Sequence, residues 1–122
     1  MKKLITLIPI LMLLTMNADA AEKLQHVVSF KFKSTAMPDD IKKVEAAFRD
    51  LKTKIPQIVS FEWGTNVSKE NHDKGFTHCF VLSFKTEKDR DDYISHPEHK
   101  AFGKLLHPFL DDVFVIDFWA KR

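Results

Sequence analysis

Two segments of this chain alternate apolar and polar side chains with the two-residue period of a β-strand, and each carries a histidine on its apolar face. The first segment runs over residues 24–33 and the second over residues 76–85. The apolar faces consist of His26, Val28, Phe30 and Phe32 in the first segment and of His78, Phe80, Leu82 and Phe84 in the second. An imidazole among apolar neighbours is either a hydrogen-bonded core residue or part of a ligand cavity. The pattern therefore predicts two strands of one sheet and two candidate cavity residues.

Helical spacing of apolar residues predicts a long helix after the first strand. Pro38 begins this helix, because proline suits the first helical turn, and the pair Ile55-Pro56 ends it. Two further apolar segments, residues 58–63 and 113–119, predict two more strands. Gly64 predicts a bulge or turn near the end of the first of these.

The second helical region is interrupted. Thr86 predicts the N-cap of a helix that ends at about Ser95. Pro97 cannot continue that helix without a kink, and Ser95 with Glu98 predicts the cap of a third helix that runs towards residue 110. The element order is thus β-α-β-β-α-β with the second helical region in two pieces.

This order predicts an α+β fold of the ferredoxin-like type, an antiparallel sheet with helices on one side. We expect several apolar side chains on the opposite side, namely Val27, Phe61, Trp63, Cys79 and Val81. Two helical regions cover only one face of a four-stranded sheet, so the other face needs a cover, and a second copy of the sheet is the simplest one. The sequence therefore predicts a homodimer, in which the acidic residue of the last strand, Asp117, pairs across the interface.

The first twenty residues predict a secretory signal peptide. Lys2 and Lys3 precede an apolar run, and Ala18-Asp19-Ala20 places small residues where a signal peptidase cleaves. We expect a signal peptide over residues 1–20 and one domain over residues 21–122, exported and periplasmic in a diderm host, with no membrane association after cleavage. The chain has 19 basic and 17 acidic residues, a balance that does not predict nucleic-acid binding.

One segment concentrates side chains that move protons near neutral pH. Residues 92–99, Asp-Tyr-Ile-Ser-His-Pro-Glu-His, contain a phenol and two imidazoles. Histidine is a base with a pKa near ambient pH, and a tyrosine hydroxyl can polarise a carbonyl or return a proton. The segment matches neither H-E-x-x-H nor H-x-x-E-H, so we expect no metal site, and no motif predicts a cofactor.

Six pieces of the sequence together resemble the stress-responsive A/B barrel domains, a family of dimeric α+β barrel proteins. They are residues 26–33, 63–67, 75–78, 92–99, 102–103 and 116–118. The resemblance runs from His26 to Trp119 and implies the family's fold and its homodimeric barrel. The resemblance to the polyketide cyclases of this family implies that Tyr93 and His99 form an acid/base pair and that His26 and His78 are polar members of the cavity wall.

Three hypotheses for the function follow. The leading one is the binding of a small apolar molecule in a cavity between sheet and helices, whose wall is expected to include His26, Phe30, His78, Phe80, His96 and Phe102. The first alternative is a cofactor-independent acid/base enzyme, of the cyclase, lyase or isomerase type, with His99 as base and Tyr93 as acid or polariser. The second alternative is a structural dimer with a filled core and no ligand.

Overall fold

The structure is a computed structural model that describes residues 22–121. The predicted signal peptide lies outside the described residues. The described chain forms four strands, three α-helices and one short 3₁₀ turn. These elements are β1 (Leu24–Phe32), α1 (Pro38–Lys54), β2 (Ser60–Thr65), β3 (His78–Phe84), α2 (Glu87–Ser95), α3 (Pro97–Leu106), a 3₁₀ turn (His107–Phe109) and β4 (Leu110–Trp119). No helix between residues 22 and 121 is long and apolar enough to cross a membrane.

The strands form one antiparallel sheet in the order β2-β3-β1-β4. Together with the helices this is the predicted ferredoxin-like α+β fold, and the prediction is confirmed. Helices α1 and α2 begin where the sequence predicted. Pro38 occupies the first turn of α1, and the Thr86 side chain accepts a hydrogen bond from the Asp89 backbone N–H at 3.0 Å to cap α2. The Ile55-Pro56 pair ends α1.

The hydrophobic core lies between the sheet and the helices and is built mainly from aromatic rings. The rings that Phe48 of α1 contacts include those of Phe80, Phe102 and Phe30, at centroid distances of 4.4, 4.6 and 5.7 Å. Each of these rings comes from a different element, so Phe48 joins α1 to β3, α3 and β1. Such offset and tilted ring pairs add to the free energy of simple apolar burial.

The prediction that Phe61 and Trp63 of strand β2 face away from the helices was wrong. Phe61 lies opposite the buried Leu82 and Trp63 opposite the buried Phe80, so both face the helices. Side chains directly opposite in an antiparallel pair share a face, which settles their orientation. Phe61 also packs on Phe48 at a centroid distance of 5.2 Å. The β2–β3 register is continuous through Gly64, so this residue forms neither a bulge nor a turn.

The cap of α3 and its end also differ from the expectation. The N-cap is His96, not Ser95, because the His96 Nδ1 accepts the Glu98 backbone N–H at 3.0 Å. The Ser95 hydroxyl instead donates hydrogen bonds to backbone carbonyl oxygens of α2. Helix α3 ends at Leu106, and the turn that contains Pro108 is a 3₁₀ turn, because proline supplies no N–H to an α-helical turn. Strand β4 therefore begins three residues earlier than predicted.

One face of the sheet is uncovered by helices. It carries Val27, Cys79 and Val81, as predicted, and adds three residues of the edge strand β4, Phe114, Ile116 and Phe118. These three side chains are each about half exposed, at 47 to 50%. Large contiguous apolar patches are uncommon on monomers and typically mark an interface.

Candidate functional site

A cavity of about 330 Å³ lies between the helix-facing side of the sheet and helices α1, α2 and α3. Thirteen residues line it, and ten of them carry neither a charge nor a side-chain hydrogen-bonding group. The lining consists of His26, Val28, Phe30, Phe48, Tyr93, Ile94, His99, Phe102, Gly103, Leu106, Leu110, Val113 and Val115. Ile94, Val113 and Val115 are 45 to 51% exposed although they line the cavity. The cavity therefore opens to solvent between β4 and the α2–α3 segment.

Tyr93 lies at the centre of the polar part of the cavity wall. The residue is 1% exposed, and its ring lies 4.7 Å from the ring of His99 and 5.6 Å from the ring of His26. Burial, with a smaller contribution from the charge of Asp117, raises the pKa of the phenol far above its ordinary value of 10.0. The hydroxyl thus stays protonated at every physiological pH. It forms no hydrogen bond with any of residues 22–121, which leaves it free to donate to a ligand.

His99 lies in the first turn of α3 and contacts Tyr93 through its ring. Burial lowers the pKa of His99 from its ordinary value of 6.5, and the proximity of His26 lowers it further. A hydrogen bond with the Ile94 backbone raises this pKa, but its effect is smaller. The imidazole of His99 is therefore neutral near pH 7, the state in which it can accept a proton.

His26 belongs to a hydrogen-bonded chain with Asp117 and Arg90. Its Nδ1 lies 2.6 Å from one carboxylate oxygen of Asp117, and Arg90 donates to the other oxygen at 3.0 Å. A carboxylate only accepts hydrogen bonds, so Nδ1 carries the proton, and in the neutral imidazole Nε2 is the acceptor. A histidine oriented in this way by a carboxylate is the arrangement of a general base. Asp117 thus pairs within its own chain, and the expected pairing across a dimer is wrong.

His78 lies at the opposite end of the sheet from His26. His26 is opposite Leu82 in the β1–β3 register and His78 is opposite Phe30, four residues away, a separation of roughly 13 Å. Both ring nitrogens of His78 are occupied, Nε2 by a carboxylate oxygen of Glu45 at 2.7 Å and Nδ1 by the Thr77 hydroxyl at 2.8 Å. The two imidazoles do not share one cavity.

The expected wall residues therefore divide into two groups. His26, Phe30 and Phe102 line the cavity together with Tyr93 and His99. His78, Phe80 and His96 do not: His78 borders a second depression of about 380 Å³ near the β2–β3 loop, Phe80 is fully buried in the core, and His96 caps α3. Alternation along β3 correctly placed His78 and Phe80 on the helix-facing side, but the cavity occupies only the part of that side next to β1 and β4.

Sequence reasoning missed Arg90 as a member of the site and did not connect Asp117 to His26. The available signal was an acid in an otherwise apolar strand, which needs a partner inside the fold. The partners are 91 and 27 residues away in sequence, so only the register of β1 with β4 and the position of α2 reveal them. No cluster of three or more histidine, cysteine, aspartate or glutamate residues in the described chain has the geometry of a metal site.

Comparison with known proteins identifies the family. The curated relatives include the stress-response A/B barrel domain-containing protein HS1 of Arabidopsis thaliana, 33% identical over 100 residues that cover 82% of this chain and 92% of the relative. They also include olivetolic acid cyclase of Cannabis sativa, 26% identical over 98 residues that cover 80% of this chain and 97% of that enzyme.

Solved structures support the same assignment. A crystal structure of an Arabidopsis thaliana protein superposes with a TM-score of 0.77 at 32% identity and covers 81% of this chain and 96% of its own. Several bacterial structures with the same fold, all under 25% identical, are dimeric ferredoxin-like proteins. The sequence profile of the Stress responsive A/B Barrel Domain matches residues 24–120. The chain belongs to the stress-responsive A/B barrel domain family.

Proposed function

We propose that this protein binds a small, largely apolar molecule in the cavity between its sheet and its helices. The observation that carries the proposal is the cavity itself: about 330 Å³ of space lined by aliphatic and aromatic side chains, with Tyr93, His99 and His26 as its polar groups. Ligand sites are typically apolar concavities with a few polar groups that orient the ligand. A structural dimer with a filled core would not need this space.

The volume limits the ligand. An apolar cavity of about 150 Å³ holds one benzene molecule, so this cavity holds a bicyclic ring system or a short acyl chain of comparable volume. The donor of Tyr93 and the acceptor nitrogen of His26 suit one carbonyl or hydroxyl group on such a molecule.

The test is native mass spectrometry of the protein purified from its own host, followed by binding of 2-naphthol measured by calorimetry. We expect a co-purified organic molecule and saturable binding of the probe. Gly103→Phe should abolish binding, because Gly103 lines the cavity and an added Cβ there meets no atom within 4 Å, which leaves room for the phenylalanine ring to take up ligand space. Gly103→Ala is the matched control and should bind the probe. A protein that arrives empty, and whose binding of 2-naphthol is absent or insensitive to Gly103→Phe, would contradict the proposal.

The geometry also favours a second candidate, a cofactor-independent enzyme that transfers protons on its ligand. The specific observation is the Asp117–His26 pair beside a Tyr93 hydroxyl that has no hydrogen-bond partner among residues 22–121. In this candidate His26 or His99 removes a proton next to a carbonyl, and Tyr93 donates a hydrogen bond to the oxygen that gains charge. Olivetolic acid cyclase, a relative at 26% identity, is an enzyme, which supports catalysis as a candidate function.

Deuterium exchange tests the enzymatic candidate without knowledge of the natural substrate. The α-protons of 2-tetralone, a bicyclic ketone of suitable size, should exchange with D₂O faster in the presence of the protein than in imidazole buffer. Tyr93→Phe should slow the exchange roughly 10- to 1,000-fold while leaving binding of 2-naphthol intact, since donors of this kind contribute on that scale. Exchange no faster than in buffer, with the ketone bound, would exclude proton transfer and leave binding as the function.

Assembly and location complete the proposal. The uncovered sheet face and the dimeric proteins of the same fold support a homodimer with the two sheets face to face. The basic residues, apolar run and small residues of positions 2–20 support export and cleavage after Ala20. The intact mass of the protein recovered from the host shows whether the mature chain begins at Ala21.

A further inference from the structure

An open depression of about 690 Å³ adjoins the cavity on the outer side of α3. The two share three lining residues, Ile94, His99 and Gly103. Gly103 lies on the wall that the two spaces share, and an added Cβ there would meet no atom within 4 Å, so the wall is open at that point. A ligand that projects from the cavity over Gly103 therefore enters this depression.

The other residues that line the depression are all basic: Lys100, Lys104 and His107. Their spacing of four and three residues places them on one side of the helix and its continuation. All three side chains are exposed. Neither lysine pairs with a carboxylate of residues 22–121, and the depression contains no acidic residue. The acid of α3, Glu98, lies on the other side of the helix beside Ala47 and Leu51 of α1.

The cavity and the depression differ in the groups they can accept. The cavity wall contains no lysine or arginine, and a charged group taken out of water without a partner carries a large desolvation penalty. A ligand with an anionic group would therefore keep that group outside the cavity. The depression offers water and unpaired cations at the cavity mouth, within one helical turn of Gly103.

We propose that the ligand is an apolar molecule with one anionic group, whose apolar body fills the cavity and whose anion lies against Lys100 and Lys104. This inference rests on the proposed function and narrows its ligand class to amphiphilic acids. The cavity and the depression recognise different parts of the ligand. The cavity contributes affinity through apolar burial, and the lysines contribute orientation and a preference for charge.

The test compares 2-naphthoate with its uncharged counterpart 2-naphthamide at low ionic strength. The two probes share the bicyclic body and differ in the anionic group. We expect the parent protein to bind the acid about 3- to 20-fold more tightly than the amide, since each exposed lysine contributes on the scale of a surface ion pair. The preference should shrink at 0.5 M salt because exposed charges are screened. Binding of 2-naphthyl phosphate then shows whether the lysines prefer a carboxylate or a phosphate.

Substitution identifies the lysines responsible. Lys100→Gln/Lys104→Gln should bind both probes with the affinity of the amide for the parent. The control Lys42→Gln/Lys43→Gln removes the same charge from the exposed surface of α1 and should keep the preference. Equal affinity for acid and amide in the parent, or a preference that survives the loss of Lys100 and Lys104, would overturn the inference and leave the proposed function intact. Failure of both probes to bind would contradict the proposed function and the inference together.

Discussion

At the scale of single residues, the site is defined by how burial and hydrogen bonds distribute protons. Tyr93 keeps its proton because its ring is buried, and His99 loses its proton readily because it is partly buried beside another imidazole. His26 has a defined tautomer because Asp117 accepts from its Nδ1. One donor and two potential acceptors thus face one small volume. That combination, rather than any one residue, is what would allow the cavity both to donate a hydrogen bond to a ligand and to accept a proton from it.

The lowered pKa of His99 predicts a pH dependence of stability. Between pH 7 and pH 5 the unfolded chain binds a proton at this residue, with an ordinary pKa of 6.5, while the folded chain resists protonation. The free energy of unfolding should therefore fall as the pH decreases through 6.5. His99→Gln should flatten this slope, measured by urea unfolding at several pH values. His72→Gln, in the exposed β2–β3 loop, should leave the slope unchanged. An identical slope in the parent and in His99→Gln would contradict the prediction.

At the scale of elements, two glycines that look alike in the sequence have opposite structural roles. Gly103 lies inside α3, where an added Cβ meets open space. Gly75 lies before β3 with a φ of +86°, and an added Cβ would lie 2.8 Å from the Lys31 side chain. A left-handed backbone angle disfavours every residue with a side chain, whereas a helix interior favours alanine over glycine.

Alanine substitution at these positions should therefore change stability in opposite directions. Gly103→Ala should raise the free energy of unfolding by about 0.5–1 kcal/mol, the helix preference of alanine over glycine. Gly75→Ala should lower it by about 1 kcal/mol or more, because the residue is strained and Lys31 must move. Urea unfolding of the two variants measures both changes. Destabilisation by Gly103→Ala would contradict the prediction, because it would show that folding needs the space at the cavity wall.

At the scale of the whole molecule, the helices cover one face of the sheet and leave the other uncovered. Strand β4 contributes most to the uncovered face, through Phe114, Ile116 and Phe118. Dimeric proteins with the same fold make a second copy the expected cover. The cavity and its basic depression lie on the helix side, opposite the face that a face-to-face dimer would bury.

A charge placed on the uncovered face should dissociate the dimer. Phe114→Asp buries a carboxylate without a partner if the sheets pack together, and we expect it to shift the protein to monomers. Val67→Asp is the matched control, since Val67 is 87% exposed in the β2–β3 loop and should not affect assembly. Sedimentation velocity at micromolar concentration distinguishes the two. A parent protein that is monomeric under these conditions would exclude the face-to-face dimer.

Local patterns in the sequence determined the order of the elements and most of their bounds to within two residues. Period-two alternation in residues 24–33 and 76–85, the proline at position 38 and the cap at Thr86 act within a few neighbouring residues, so they can be read without the fold. The same patterns placed His26 on the helix-facing side of β1. The proximity of Tyr93 to His99 was also accessible, because the two lie six residues apart across one helix junction.

Only the tertiary structure decided which of these residues share a cavity. The direction of Phe61 and Trp63 depends on the register of β2 with β3, and the partner of Asp117 depends on the register of β4 with β1. The separation of His26 from His78 follows from the same antiparallel register, which places them at opposite ends of two adjacent strands. Register is a relation between distant segments, and a shift by one residue reverses every side chain. The sequence therefore determined the elements and the chemistry available to them, while the pairing of distant strands decided where that chemistry is assembled.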